Sequence, residues 1–334
     1  MDHLRSPRRG FGRVVGTAFV TAVLACSATM VQAQAQDFPN KPIHIIVPLP
    51  PGGSNDVLAR VLGAKMSEAF NQPVIVDNKP GAAGNIATDF TAKSPPDGYT
   101  MAIAPNQTVA VNPVLYPKLP FDALKDLTGV SMLGRVPVVL VVAPKVKVNN
   151  VTELIALAKA APGKLSYASA GSGSPQHMSA EIFKAMTGAT MLHVPYKGSA
   201  PAMVDVLGGT IDVMFCPINS ALPHIRTGKL RALGVAGTKR VGLLPDVPTI
   251  AETVPGYESD IWIGMVMPSK TPPAIVAKLN AELRRSLSQP DVLAKLSEQG
   301  IEAESSTAAE FTELIAADQK RWAEVIRNAN IQPE

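Results

Sequence analysis

The chain has little cysteine, with only Cys26 and Cys216 among its 334 residues. Cys26 lies in a leader-like N-terminal segment, so a processed chain keeps Cys216 alone and forms no internal disulfide. Cys216 sits in the apolar run Val213-Met-Phe-Cys-Pro217, which suits a small buried hydrophobe better than a reactive thiol. Histidine is sparse too. Past the leader, His44, His177, His193 and His224 fall singly, with no His-x-x-x-His pair and no paired cysteines, so a zinc site is not expected. Neither Gly-x-x-x-x-Gly-Lys-Ser/Thr nor Gly-x-Gly-x-x-Gly occurs, so nucleotide binding lacks support and no cofactor is expected. Charged residues make up 17% of the chain, and most of the net +4 comes from Arg5, Arg8, Arg9 and Arg13. The near-neutral remainder gives no case for nucleic acid or a membrane surface as partner. There are no internal repeats, low-complexity tracts or long charge runs.

The leader has the pattern of an export signal. A basic stretch from Arg5 to Arg13 precedes a short apolar run from Val14 to Ala25, too short to span a bilayer comfortably. Val31-Gln-Ala33 and Ala33-Gln-Ala35 both offer small residues for cleavage, and residues 1–33 are assigned to the signal. Arg8-Arg-Gly-Phe11 half-matches a twin-arginine signal, but Gly12 breaks it, which favours general secretion. Val23-Leu-Ala-Cys26 is a loose lipobox and an alternative in which a lipid on Cys26 anchors the chain. The location expected is periplasmic.

The remainder alternates short apolar runs with helical periodicity, which implies an α/β fold with mostly parallel sheets. Strands are expected at Ile43–Val47, Val74–Asp77, Thr100–Ala104, Val138–Ala143, Leu165–Ala168, Met191–Val194, Val213–Phe215, Ala232–Val235 and Ile261–Met267. Over the last stretch of the chain strands stop and helices dominate, with Ile275, Leu279, Leu283 and Leu287 on one face. Two proline-bounded segments, Arg135–Pro144 and Asp260–Pro268, read as passages between lobes. Residues 37–138 and 265–334 then form a discontinuous first lobe, 139–264 form the second, and a ligand cleft lies between them.

Four loops follow strand ends, where parallel-sheet proteins hold ligands. In the first, Pro48, Pro50, Pro51, Gly52 and Gly53 lead into Ser54, Asn55 and Asp56, all suited to cap a helix. A strand, a glycine turn and a helix start present free N–H groups and a positive dipole end to an anion. The second, Asn78-Lys-Pro-Gly-Ala-Ala-Gly-Asn85, ends on Gly84 and Asn85. The third, Ala104-Pro-Asn-Gln-Thr108, adds the Asn106 amide. In the fourth, Ser169, Ser172 and Ser174 offer hydroxyls while Gly171 and Gly173 let backbone approach a ligand, and His177 follows one turn on. Lys79 and Lys197 are the lysines near these loops and no arginine lies in them, so a carboxylate there would be held mainly by N–H groups, hydroxyls and water. Arg60 is expected to support its own helix.

Several residues admit two readings. His177 is either a helix-start hydrogen-bonding or ligand-contacting residue, or the base of a serine hydrolase with Ser172. Gly171-Ser-Gly-Ser174 lacks the Gly-x-Ser-x-Gly spacing of a nucleophile elbow, and no partner acid stands out. Trp262 either packs the hinge or walls the cleft. Asp205 either faces the cleft or is solvated on its helix.

The segments Lys41-Pro-Ile-His-Ile-Ile-Val-Pro-Leu-Pro-Pro-Gly-Gly-Ser-Asn-Asp56, Gln72-Pro-Val-Ile-Val-Asp-Asn-Lys-Pro-Gly-Ala-Ala-Gly-Asn85, Pro96-Asp-Gly-Tyr-Thr100, His193-Val-Pro-Tyr-Lys-Gly-Ser-Ala-Pro201 and Leu243-Leu-Pro-Asp-Val-Pro-Thr249 carry a resemblance. From about Phe38 onward the chain resembles the Bug-type extracytoplasmic solute receptors of tripartite tricarboxylate transporters. The resemblance implies a two-lobed, type II Venus-flytrap fold with a discontinuous first lobe and no catalysis. It implies capture of a small carboxylate (di- or tricarboxylate, aromatic or amino-acid), partly through water, and delivery to a large and a small membrane permease subunit. It places the first-lobe loop on Gly52–Asp56 with Gly84 and Asn85, and the second-lobe loop on Ser169–Ser174, with the Tyr196 turn nearby. Leu49 and Ile263 depart from positions where an aromatic is common, which bears on ligand identity. The chain is expected to act as a monomer, and a receptor that signals occupancy without transport is the alternative within the same chemistry.

Overall fold

The computed structural model describes residues 38–333, so the segment expected to be an export signal, with its Cys26 lipobox alternative, lies outside the described residues. The described strands are β1 (Ile43–Val47), β2 (Val74–Asn78), β3 (Thr100–Pro105), β4 (Leu127–Val136), β5 (Val138–Val142), β6 (Leu165–Ser169), β7 (Met191–Pro195), β8 (Val213–Pro217), β9 (Arg231–Val235), β10 (Ile261–Pro268) and β11 (Glu302–Ala303). They form a 6-stranded sheet in the order β11-β4-β10-β3-β1-β2 and a 5-stranded sheet in the order β7-β6-β8-β5-β9.

Each sheet has the same build. Parallel strands β2-β1-β3 in one, and β7-β6-β8 in the other, end on the same side. The strand arriving from the other sheet enters at that side and runs away from it. It therefore pairs antiparallel: β10 opposite β3, and β5 opposite β8. The strand that leaves, β4 or β9, is antiparallel to the arriving one and ends where the chain crosses. This corrects the expectation of mostly parallel sheets. It follows from a chain that must pass twice between layers: one passage is at Pro137, and the other lies ahead of Ile261. The whole of β10 pairs within the larger sheet, so a division drawn at residue 264 would fall in mid-strand.

Apolar runs explain the cores. Ile43, Ile45, Ile46 and Val47 are buried against Leu58, Leu62 and Met66 of helix Ser54–Phe70, and all of β5 is buried. The C-terminal helix Ala308–Asn328 starts at a Thr307–Glu310 capping box and seals the larger sheet. Its Phe311 ring sits over Gly264, where an added Cβ would lie 1.9 Å from the ring. Trp262 is buried edge-on to Phe311, and Asp318 accepts from the Nε1–H groups of both Trp262 (2.9 Å) and Trp322 (3.0 Å). Trp262 therefore packs the return passage and does not wall the cleft. The helical C-terminal region is not free of strand, since Glu302–Ala303 adds a two-residue edge to β4.

Candidate functional site

A cavity of about 680 Å³ lies between the two sheets, lined from both. From the larger-sheet side come Leu49, Pro50, Pro51, Gly53, Ser54, Asn55, Ala83, Gln107 and Tyr116. From the other come Gly171, Ser172, Ser174, Gln176, Ser199, Asn219 and Ser220. Val136, Ile261 and Ile263 form the hinge-side wall. The volume suits a small organic ligand. Among the described residues, none that lines this cleft has a charged side chain.

Four helices begin on its wall: Ser54–Phe70, Pro175–Thr187, Ser199–Leu207 and Ile218–Arg226. Each follows the carboxyl end of a strand, which is why all four start at the cleft. Three of them lack a side-chain cap at Gly53, Gly198 and Pro217, so their first N–H groups are not satisfied by a capping side chain. The fourth is capped by Ser174, whose Oγ accepts from His177 N at 3.4 Å. The result is a neutral cleft with a positive potential made by peptide dipoles, a setting that favours an anion. Asn55 is 7% exposed and its Oδ1, an acceptor, lacks a partner among the described residues, so this atom calls for a donor from water or ligand and adds nothing to the preference for an anion.

Of the residues assigned to ligand binding from sequence, Gly53, Ser54, Asn55, Gly171, Ser172 and Ser174 stand on the cleft wall. The other expected residues lie behind it and hold it in shape. Asp56 accepts from Gly52 N (3.0 Å), Arg60 Nε (2.9 Å) and Asn78 Nδ2 (3.1 Å). The Arg60 guanidinium, with smaller help from Gly52 and Asn78, holds this carboxyl below the usual range against its burial. Asp56 thus closes the turn that positive-φ Gly52 begins (φ 92°), and Gly53 takes the capping position in its place. Gly84 packs tightly, since an added Cβ would meet Thr108 at 2.6 Å. Asn85 Oδ1 accepts from Asn112 at 2.7 Å, and Asn106 donates to the Asp260 carbonyl at 3.1 Å, tying the loop after β3 to the return passage.

In the second sheet, Ser169 Oγ pairs with His193 Nε2 at 2.6 Å and accepts from Gly171 N at 3.1 Å. His177 is 5% exposed, its Nδ1 accepts from Gly173 N at 3.1 Å, and its ring stacks on His193 at 4.2 Å. That hydrogen bond occupies the Nδ1 lone pair, and Glu181 lies 3.9 Å from Nε2, so the ring serves the loop fold and not a Ser172 nucleophile. Tyr196 donates to Asp205 at 2.5 Å, so Asp205 is half-buried against Tyr196, neither on the cleft wall nor left to solvent. Burial and then Asp205 push the Tyr196 phenol up to about 12. Cys216 is fully buried and burial alone pushes its thiol up to about 12, as suits an inert core residue. Arg60 supports its helix, and Lys79 lies 4.5 Å over the Phe90 ring, away from the cleft.

Gln107, Gln176, Ser199, Asn219 and Ser220 line the cleft but were not singled out from sequence. The available signal was Pro217-Ile-Asn-Ser220, a strand end passing straight into a helix, the same pattern as the first loop.

A two-sheet, twice-crossed α/β chain with an uncharged anion cleft between its layers is a type II solute-binding protein. The chain belongs to the tripartite tricarboxylate transporter family of receptors, whose match covers residues 58–331. That family consists of solute-binding receptors, not enzymes. BugT of Bordetella pertussis is 40% identical over 316 residues, covering 94% of this chain and 95% of its own. Among solved structures, Rpa4515 of R. palustris with adipate superposes with a TM-score of 0.82 at 36% identity, covering 89% of this chain and 100% of its own. MatC of Rhodopseudomonas palustris with bound malate gives 0.77 at 31% identity, covering 86% and 100%.

Proposed function

We propose that the protein is a periplasmic receptor that captures a small carboxylate between its lobes and passes it to the membrane subunits of a tripartite tricarboxylate transporter. The observation that carries this is the convergence of four helix N-termini on a cleft lined by no charged side chain. Such a wall favours an anion through N–H groups, while Pro50, Pro51, Ala83, Val136, Ile261 and Ile263 accept its apolar body. The adipate and malate bound by the relatives point the same way. We place the binding contacts on Gly53, Ser54, Asn55, Gly171, Ser172 and Ser174, joined by Gln176, Ser199 and Asn219. The lobes divide at Pro137 and ahead of Ile261, closure is driven by the ligand's greater affinity for the closed state, and the chain acts as a monomer.

The test is mass spectrometry of small molecules released from the mature protein after native purification. The expected result is a stoichiometric carboxylate. A neutral or cationic compound at that stoichiometry would overturn the reading.

A further inference from the structure

The second-sheet loop of the cleft rests on two histidines. Ser172, on the cleft wall, is flanked by Gly171 (φ 114°) and Gly173 (φ 73°), and both glycine N–H groups are held from behind. Gly171 N donates to Ser169 Oγ at 3.1 Å, and that oxygen pairs with His193 Nε2 at 2.6 Å. Gly173 N donates to His177 Nδ1 at 3.1 Å. The two imidazoles lie face to face, 4.2 Å apart and 11° from parallel, and Tyr167 stacks on His193 at 4.9 Å. Neither imidazole lines the cleft, so the pair acts on a ligand through the loop.

The two anchors answer a proton differently. Because Nδ1 of His177 accepts, the neutral ring carries its proton on Nε2. A second proton goes to Nδ1, where it meets the Gly173 N–H, donor against donor. That bond is then lost and the peptide turns away, a change that glycines on both sides of Ser172 permit. Ser169 keeps its bonds either way. Its hydroxyl can turn to the Gly171 carbonyl at 3.2 Å and accept from a His193 N–H. The response to acid therefore falls on Gly173, and the stacking disfavours a charge on both rings at once.

The surroundings do not hold His177 in one charge state. Glu181 lies 3.9 Å from its Nε2, but Glu181 Oε1 already accepts from Tyr167 Oη at 2.5 Å and Lys184 Nζ at 2.6 Å. Tyr257, whose hydroxyl donates to the Ser179 carbonyl at 3.0 Å, and Cys216 of the adjoining β8 also pack on this helix. Burial raises both, so they stay neutral in mild acid. On the β7 side, Tyr196 is paired with Asp205.

We propose that His177 and His193 are positioning residues for ligand capture, and that a proton on the pair releases the Gly173 anchor, so that the receptor holds its ligand in neutral surroundings and lets it go in mild acid. This rests on the reading of Ser169–Ser174 as one side of the ligand site. The response spans roughly pH 5–8, where an imidazole changes charge.

Two readouts on the mature chain test this. In nitrogen-15-labelled protein, the Gly173 amide resonance should follow the His177 ring as pH falls from about 8 to 5, and the Gly171 amide should move less. In His177→Asn, whose amide oxygen replaces the Nδ1 acceptor without taking a proton, the Gly173 amide should stay in place. Calorimetry with succinate reads the consequence. Across the same range wild type should lose about fivefold more affinity than His177→Asn, the worth of one hydrogen bond. Comparing the two proteins at each pH cancels the protonation of succinate itself. A Gly173 amide that ignores the ring, or that shifts equally in His177→Asn, overturns the proposal. A constant affinity ratio overturns it too. So does wild-type binding that tightens in acid relative to the variant, because added charge and not loop geometry would then govern the ligand. A Gly173 amide that titrates while succinate fails to bind at any pH supports the loop release and counts against the carboxylate reading of the cleft.

Discussion

Asn219 and Ser54, 165 residues apart in sequence, meet across the cleft: Asn219 Nδ2 donates to Ser54 Oγ at 3.2 Å. Each stands at the start of a helix on the cleft wall, one from each sheet. Nearby, an added Cβ at Gly173 would lie 2.5 Å from Leu115 of the opposite side, and one at Gly300 would lie 2.9 Å from Ile218. The layers carrying the two sheets therefore touch across the cleft, and under the proposed closure the Ser54–Asn219 bond belongs to the closed form. Asn219→Ala removes it, at a cost of about 1 kcal/mol, which is about fivefold in Kd. Calorimetry checks the affinity, and small-angle scattering checks the expected rise in open molecules. An unchanged Kd would show that the bond adds nothing to closure.

Gly53 separates backbone capture from capture by charge. Its φ of −85° suits any residue, and nothing lies within 4 Å of an added Cβ. Gly53→Val therefore folds normally while placing methyl groups in the ligand's space at the helix N-terminus. It should weaken carboxylate binding at least about tenfold, or 1.4 kcal/mol. Lys79→Ala, which removes a cation stacked on Phe90, should leave affinity near wild type. The reverse order in calorimetry would contradict capture by peptide N–H groups.

Asp318 is the keystone of the return passage. It is 5% exposed and bonds both buried indoles, Trp262 and Trp322, as well as Arg321. Asp318→Ala strands two buried N–H donors and should cost about 3 kcal/mol, at 1–3 kcal/mol for each unsatisfied group. Urea denaturation measures it. Because Asp318 lies away from the cleft wall, the folded fraction should retain wild-type ligand affinity.

Acid should loosen the binding loop through Asp56. Its carboxyl is held low, chiefly by Arg60. A depressed folded value gives stability that is present above the unfolded value, near 3.9, and is lost as pH falls through the folded value. Glu252, pulled to about 2 by Arg240 and the Thr249 N–H, acts in the same direction over the window from its ordinary 4.5 downward. Wild type should thus exceed Asp56→Asn in stability at neutral pH, and the gap should narrow as pH drops below about 4. A gap that stays constant across this range would contradict the role given to the Asp56 carboxylate.

Patterned segments made much of this fold readable. Ile43–Val47 matches its strand residue for residue, because the apolar run ends there at proline. β4 escaped, because Thr128, Gly129, Ser131, Gly134 and Arg135 interrupt its apolar pattern. It is buried all the same, since Gly129 and Gly134 let Phe311, Thr312 and Glu302 approach closely. At the site, Gly53, Ser54 and Ser172 were legible from loop position alone. Asp56, Asn85, Asn106, Ser169, His177 and Tyr196 share those loops but satisfy one another and the backbone. Which side of a loop a polar group faces depends on partners such as Arg60, Asn112 and His193, which are distant in sequence. Gln176 joins the site only through lobe packing, which no local pattern encodes, whereas Asn219 sits in the strand-to-helix pattern Pro217-Ile-Asn-Ser220.

The central claim is that an uncharged cleft holds a carboxylate with helix N-termini. Comparing succinate with succinamide tests it most directly, because the pair matches in size and differs in charge. At 100 times its Kd, the acid should stabilise the mature protein by about 2.7 kcal/mol, raising Tm by about 5–10 °C, while the amide gives no shift. Should a panel of aliphatic, aromatic and amino-acid carboxylates leave Tm unmoved, or should matched amides raise it equally, the account is contradicted.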